Sequence, residues 1–188
     1  MLLLGVLQAQ AAGAVGAGSY DLLDERVLVS AESSVTFSSL AATYGADYQH
    51  LQLRLTTRTD RVNPIDNMRL NFNGDTGSNY RHHWLLGDGG SVTSSTIAST
   101  NIELYRSAAA TATSGIFGAN VVDILDPFSS NKNTVIRNFA GITTAANEVR
   151  LQSGLWVNTA ALTTITISSG WNFIIGSRFS LYGIKVGA

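Results

Sequence analysis

The chain has no cysteine, so disulfides, thiolate metal sites and cysteine nucleophiles are excluded outright. Proline is almost as scarce. Pro64 and Pro127 both fall in segments that read as loops, where a missing N–H costs no ladder hydrogen bond. Charge is thin as well: Asp, Glu, Lys and Arg make up 13% of 188 residues, about half of what soluble domains carry. Lys132 and Lys185 are the only lysines, and the arginines are scattered rather than clustered. With a net charge of −1, this argues against a phosphate-tracking surface and hence against nucleic acid as a partner. No run approaches the ~18 apolar residues of a transmembrane helix, so membrane insertion is not expected. The polar surface must be built from Ser, Thr, Asn and Gly. Fewer charges then need desolvation when surfaces pack together, and we read this composition as a mark of assembly.

The first residues, MLLLGVLQAQAAGAVGAGS, hold an A-x-A pattern at Ala9 and Ala11. The apolar stretch 2–7 is nevertheless short for a signal peptide, and no Lys or Arg precedes it. Residues 1–18 read better as an apolar, Gly/Ala-rich arm in which Leu2, Leu3, Leu4, Val6 and Leu7 are assembly contacts to a neighbouring subunit. Residues 19–188 read as one domain, long enough to bury a core without staples.

Period-2 patterns dominate this domain. Leu51, Leu53, Leu55 and Thr57 alternate with Gln52, Arg54, Thr56 and Arg58, and Met68, Leu70 and Phe72 alternate with Arg69, Asn71 and Asn73. A half-buried strand requires that pattern, and it places Arg54 and Arg58 on the solvent side. Ile165, Ile167, Phe179 and Leu181 complete the expected core. Further strands are expected at 20–29, 34–38, 79–86, 101–106, 119–125, 134–140, 148–157, 162–167 and 178–186. Turn clusters separate them at 71–79 (NFNGDTGSN), 87–91 (GDGGS), 126–133 (DPFSSNKN) and 168–172 (SSGWN). A helix is expected only at 38–44. Eleven short strands with frequent turns indicate an all-β fold, a jelly-roll-like antiparallel β-sandwich.

Candidate chemistry is sparse. The 71–79 loop spaces oxygen-bearing side chains as calcium would want them, but lacks the carboxylate count and closing Glu of an EF-hand; side-chain-stabilised turn geometry explains it without metal. His82 and His83 are adjacent on a strand and point to opposite faces, so they cannot readily share a metal with His50. One buried, hydrogen-bonded histidine and one exposed histidine is the simpler reading. Asp123 and Asp126, with Glu103 or Asp88, could supply a carboxylate pair for glycoside hydrolysis, but their spacing is not distinctive. No G-x-S-x-G, H-E-x-x-H, P-loop or dinucleotide fingerprint is present. Of three tryptophans, Trp84 and Trp156 sit among apolar strand residues and read as core. Trp171, in SSGWN, is the candidate glycan contact, with core or subunit interface as the competing reading. The expectation is a non-enzymatic protein with no catalytic residues, no cofactor and no metal.

Six segments in one order, SVTFSSL (34–40), HLQLRLTTR (50–58), LNFNGDTGSNY (70–80), ANVVDILD (119–126), SGLWVNTAALTTIT (153–166) and SRFSLYGIK (177–185), resemble a family of small structural, virion- or tail-associated proteins of tailed bacteriophages. The MLLLG opening with its small-residue arm is similar to that family too. The resemblance implies a virion localisation, as a capsid decoration or head fibre or a tail-associated protein acting through oligomerisation and docking. Its implied partners are other copies of itself, a trimer among the candidates, and other virion proteins. The alternative is a receptor- or glycan-binding module of a tail fibre, with a host surface glycan as partner.

Overall fold

The computed structural model describes residues 20–144 and 147–185, and the expected arm at 1–18 therefore lies outside the described residues. Twelve strands and one short helix occur among them: β1 (Tyr20–Val27), β2 (Glu32–Phe37), α1 (Leu40–Tyr44), β3 (His50–Thr57), β4 (Ile65–Phe72), β5 (Tyr80–Gly87), β6 (Val92–Ser99), β7 (Ile102–Ala108), β8 (Gly118–Leu125), β9 (Thr134–Ile142), β10 (Glu148–Trp156), β11 (Ile165–Phe173) and β12 (Arg178–Ile184). They form two antiparallel sheets, one of eight strands in the order β1-β12-β3-β8-β9-β10-β5-β6 and one of four in the order β2-β11-β4-β7. The small sheet lies on the inner face of the large one, joined to it by a large apolar cluster and by a small second one around Ala108 and Ile142. The all-β sandwich read from the sequence is the fold observed.

The core follows the alternation. Leu51, Leu53 and Leu55 on β3 meet Met68, Leu70 and Phe72 on β4, Ile165 and Ile167 on β11, and Phe179 and Leu181 on β12, all fully or almost fully buried. Phe173 and Phe179 pack edge to face at 5.0 Å between ring centres. Backbone approaches are close where glycine stands. A Cβ on Gly118 would lie 2.0 Å from the Arg106 carbonyl oxygen, and one on Gly183 would lie 2.3 Å from the Tyr48 ring.

Four expectations need correction. The SSGWN segment is not a turn: β11 runs through it with an irregularity between Ser168 and Phe173, and the chain reverses after Ile174. Phe173 must reach the core, and that requirement carries the strand past residues whose local preference is for turns. A twelfth strand, β6, lacks an apolar alternation because neither of its faces is buried among the described residues. Arg58 is inside rather than outside. Just beyond the end of β3, its Nη1 donates to the carbonyls of Thr113 (2.8 Å) and Ile116 (3.0 Å), and its Nη2 to those of Ala110 (3.2 Å) and Ala112 (2.8 Å). A guanidinium can be buried when its fork of donors is met by converging acceptors. Gln52, too, is buried although it lies on the outer face, because it is held between Arg54 and Asp123.

Candidate docking face

The strands β8, β9, β10 and β5 lie side by side in the large sheet, and their inner face is unusually polar. On β10 the alternation Val149-Arg150-Leu151-Gln152 would ordinarily put the valine and leucine inside. The structure does the opposite: Arg150 and Gln152 are buried, while Val149 and Leu151 are exposed. Trp156 decides the register. It shares the face of Arg150, Gln152 and Gly154, is buried against Phe72 and Tyr80, and donates its indole N–H to Asp75 at 2.7 Å. Because side chains alternate strictly, inserting this one ring sends Val149, Leu151 and Leu155 to the other face.

The buried polar side chains satisfy one another in part, while Asn120 Nδ2, Asn138 Oδ1 and Arg150 Nη1 find no hydrogen-bond partner among the described residues. Asn138 Nδ2 donates to Asn120 Oδ1 (3.1 Å) and Gln152 Oε1 (3.2 Å), and Gln152 Nε2 donates to the Glu103 carbonyl on β7 (2.9 Å). The Arg150 guanidinium lies 4.3 Å from the Trp84 ring centre and 3.9 Å from that of Tyr105. Glu148 bridges Arg150 and Arg106, at 3.5 and 2.6 Å. Burial, and then the hydrogen bond to Glu103, hold the Tyr105 hydroxyl well above the usual tyrosine range. This network ties the large sheet to β7 and is structural in character.

The outer face carries what the inner face displaced. Val121 on β8 stands opposite Phe139 on β9, Phe139 opposite Leu151 on β10, and Leu151 opposite Leu85 on β5. These four exposed side chains form one cross-strand row spanning three inter-strand steps, about 14 Å. Phe139 and Leu151 are 53% and 54% exposed, values that mark them as displayed rather than incidental. The row floors an open groove of about 640 Å³. One rim is polar: Asp123 accepts from Arg137 (3.1 Å) and from Gln52 (2.8 Å), and the exposed His83 follows in the same register. At the β3 end of the row Arg54, in register with Val121, stacks on Tyr182 at 4.4 Å and on Tyr20 at 5.6 Å. The other rim is small and apolar, with Gly141, Val149 and Gly87 in register. A floor of four large apolar side chains with an ion pair at its edge suits a protein surface, because contiguous apolar patches on exposed faces mark interaction sites.

The residues singled out in the sequence are placed elsewhere. Trp171 is 49% exposed on β11 in the small sheet and does not line the groove. Trp156 is core as expected, and Trp84 is half-buried against Arg150. His82 is buried, but its ring nitrogens find no hydrogen-bond partner among the described residues, which corrects the expectation of a bonded ring. Burial lowers its pKa. His50 accepts the Asp126 backbone N–H through Nδ1 at 3.0 Å, so the three histidines have separate environments. In the 71–79 loop the Asp75 carboxylate is engaged by Trp156, Asn79 and Gly77, while Asn73 Oδ1 accepts from Thr163 and Thr164. These bonds, the Trp156 one foremost, hold the Asp75 carboxyl below its usual range. Oxygens that looked available for calcium thus stitch the loop to its neighbours. The four acids weighed for hydrolysis also have partners of their own: Asp123 with Arg137, Asp126 with Lys132, Glu103 with Tyr105, and Asp88 with Gly90 and Ser91. No cluster of three or more His, Asp or Glu that could hold a metal occurs among the described residues.

Reasoning from the sequence did not find Phe139, Leu151, Leu85 or Val121. The signal was there in weak form: in β9, Val135 and Phe139 alternate with Ile136, so both faces of that strand carry apolar residues. No family model, no curated protein and no solved structure matches the chain.

Proposed function

We propose that this chain is a non-enzymatic structural component of a tailed-phage virion, a capsid decoration, head fibre or tail-associated protein that works by oligomerising and docking on other particle proteins. The order of the six sequence segments supports the virion reading. The docking reading is carried by one observation: the inverted amphipathicity of β10, which leaves the row Val121–Phe139–Leu151–Leu85 exposed while Arg150 and Gln152 are buried. A fold that buries an arginine beneath a sheet and displays a phenylalanine above it is readily understood if the displayed face is covered in the assembled state. Covering the exposed parts of these side chains contributes on the order of a few kcal/mol, enough to orient a subunit on a repeated site. In this reading the apolar arm residues Leu2, Leu3, Leu4, Val6 and Leu7 add a second contact to neighbours.

The test is particle occupancy. Wild-type chain is expected in purified particles at a fixed copy number, and F139S/L151S is expected to fold but to be depleted from them. Absence of the wild-type chain from particles would refute the virion role, and equal occupancy by the variant would refute docking through this face. The half-exposed Trp171 favours one second reading, a glycan-binding module of a tail fibre. Retention on host surface glycans that W171A abolishes would establish it.

A further inference from the structure

A sheet edge presents a row of unpaired N–H and C=O groups, and proteins usually blunt it with charge, proline or a bulge. The large sheet treats its two edges differently. At one end, β1 carries Asp21, Asp24, Glu25 and Arg26, and its register with β12 breaks between Leu22 and Asp24. At the other end lies β6, with the sequence VTSSTIAS. It has no charged residue, no proline and no glycine, and pairs with β5 through eight consecutive positions without a break. Among the described residues no strand lies beyond it.

Nor, among the described residues, does much cover either face of β6. Val92, Ser94, Thr96 and Ala98 lie on the outer face, in register with Gly87, Leu85, His83 and Arg81. All four are exposed, and on the opposite face only Ile97 and Ser99 gain partial cover. The strand therefore has little to hold it except its ladder to β5. An eight-residue, uncharged, unbroken edge of β-branched and small residues is a template for strand addition.

We infer that β6 is the edge through which two copies of this chain join their large sheets, antiparallel, about a two-fold axis normal to the sheet. A free peptide added here would be ordered from solution and would itself lie with both faces bare. The β6 strand of a second copy arrives already ordered on its own β5, so the entropy cost of association is smaller. The axis keeps both outer faces on one side, so residues opposite each other share a face. The two registers of greatest overlap pivot on Ser95 or on Thr96. The first sets Val92 against Ala98 and Ser94 against Thr96; the second sets Ser94 against Ala98 and Thr96 against itself. Every pair on that face is small and uncharged, so the strand is complementary to itself. The joined sheet would carry two apolar rows on one side, giving the docking face twofold repetition. The edge itself does not depend on the virion reading.

The full chain, its S94K/T96K and S94E/T96E variants and F139S would be compared by sedimentation equilibrium over a concentration series. The substituted side chains are all exposed, and circular dichroism checks the fold of each variant. Wild type is expected to dimerise. Each charged variant sets like charges against each other in either register and is expected to raise the dissociation constant about tenfold or more. An equimolar mixture of the Lys and Glu variants should restore dimers near wild-type affinity, and F139S should leave dimerisation unchanged. Wild type that stays monomeric, or a Lys variant that associates as wild type does, would overturn the inference; so would a mixture no tighter than either variant alone. Because F139S/L151S reads particle occupancy and S94K/T96K reads dimerisation, the docking face and the β6 edge fail separately.

Discussion

Replacing Arg58 by methionine removes the guanidinium while keeping most of the apolar stem. The four carbonyls of Ala110, Ala112, Thr113 and Ile116 then lose their donors, and with them the segment between β7 and β8 loses its central tie. Hydrogen bonds to a charged group contribute about 1.5–3 kcal/mol each. Simple addition over four bonds would overstate the effect, because three of the four are only part-buried and their acceptors can regain water. The buried one, to Ala112, cannot without movement of the segment. A loss of about 3 kcal/mol is the expectation, the upper end of the cost of leaving a buried acceptor without its donor. For a domain of this size that lowers the melting temperature by on the order of 10 °C. R58K supplies three donors from one point instead of a planar fork and should recover roughly half of the loss. Urea unfolding followed by tryptophan fluorescence measures both variants, and hydrogen exchange at residues 109–117 locates the effect. The reasoning is refuted if R58M stays within about 1 kcal/mol of wild type, or if R58K is no better than R58M.

Two further outcomes follow from single residues. G118A drives a Cβ to 2.0 Å from the Arg106 backbone oxygen, where no side chain can yield, and should cost about 1–3 kcal/mol or more; a wild-type denaturation midpoint would show that the β7–β8 approach is looser than described. His82 is buried with a pKa below its ordinary 6.5, chiefly through burial. The unfolded chain then binds the proton first, so the stability contributed by the neutral ring is complete above 6.5 and is lost as pH falls from there through the lower folded value. H82L should flatten the stability profile in that window, and a slope unchanged by the substitution would refute the assignment.

Strand identity and the central core were legible in the chain itself. On β3 and β4 one apolar face alternates with one polar face, and only one register can bury the leucines, so local pattern and tertiary outcome agree. The scarcity of charge, and of lysine above all, pointed by composition alone to a surface built from small polar groups. Other features were decided by packing. On β10 the local pattern pointed the wrong way, since one Trp156 ring in the core outweighs the preference of Val149 and Leu151 for burial and of Arg150 and Gln152 for water. Partners on β7, β8 and β9, distant in sequence, made that inversion tolerable by meeting the buried arginine and amides. Arg58 obeyed the same rule, because its acceptors come from a segment more than fifty residues away, as the separations of 52–58 positions show. The β6 edge escaped notice because a strand with no buried face has no periodicity to read. Periodicity in a sequence records which side chains one core demands; the apolar row and the open edge are fixed by neighbours, which only the assembled sheets bring together.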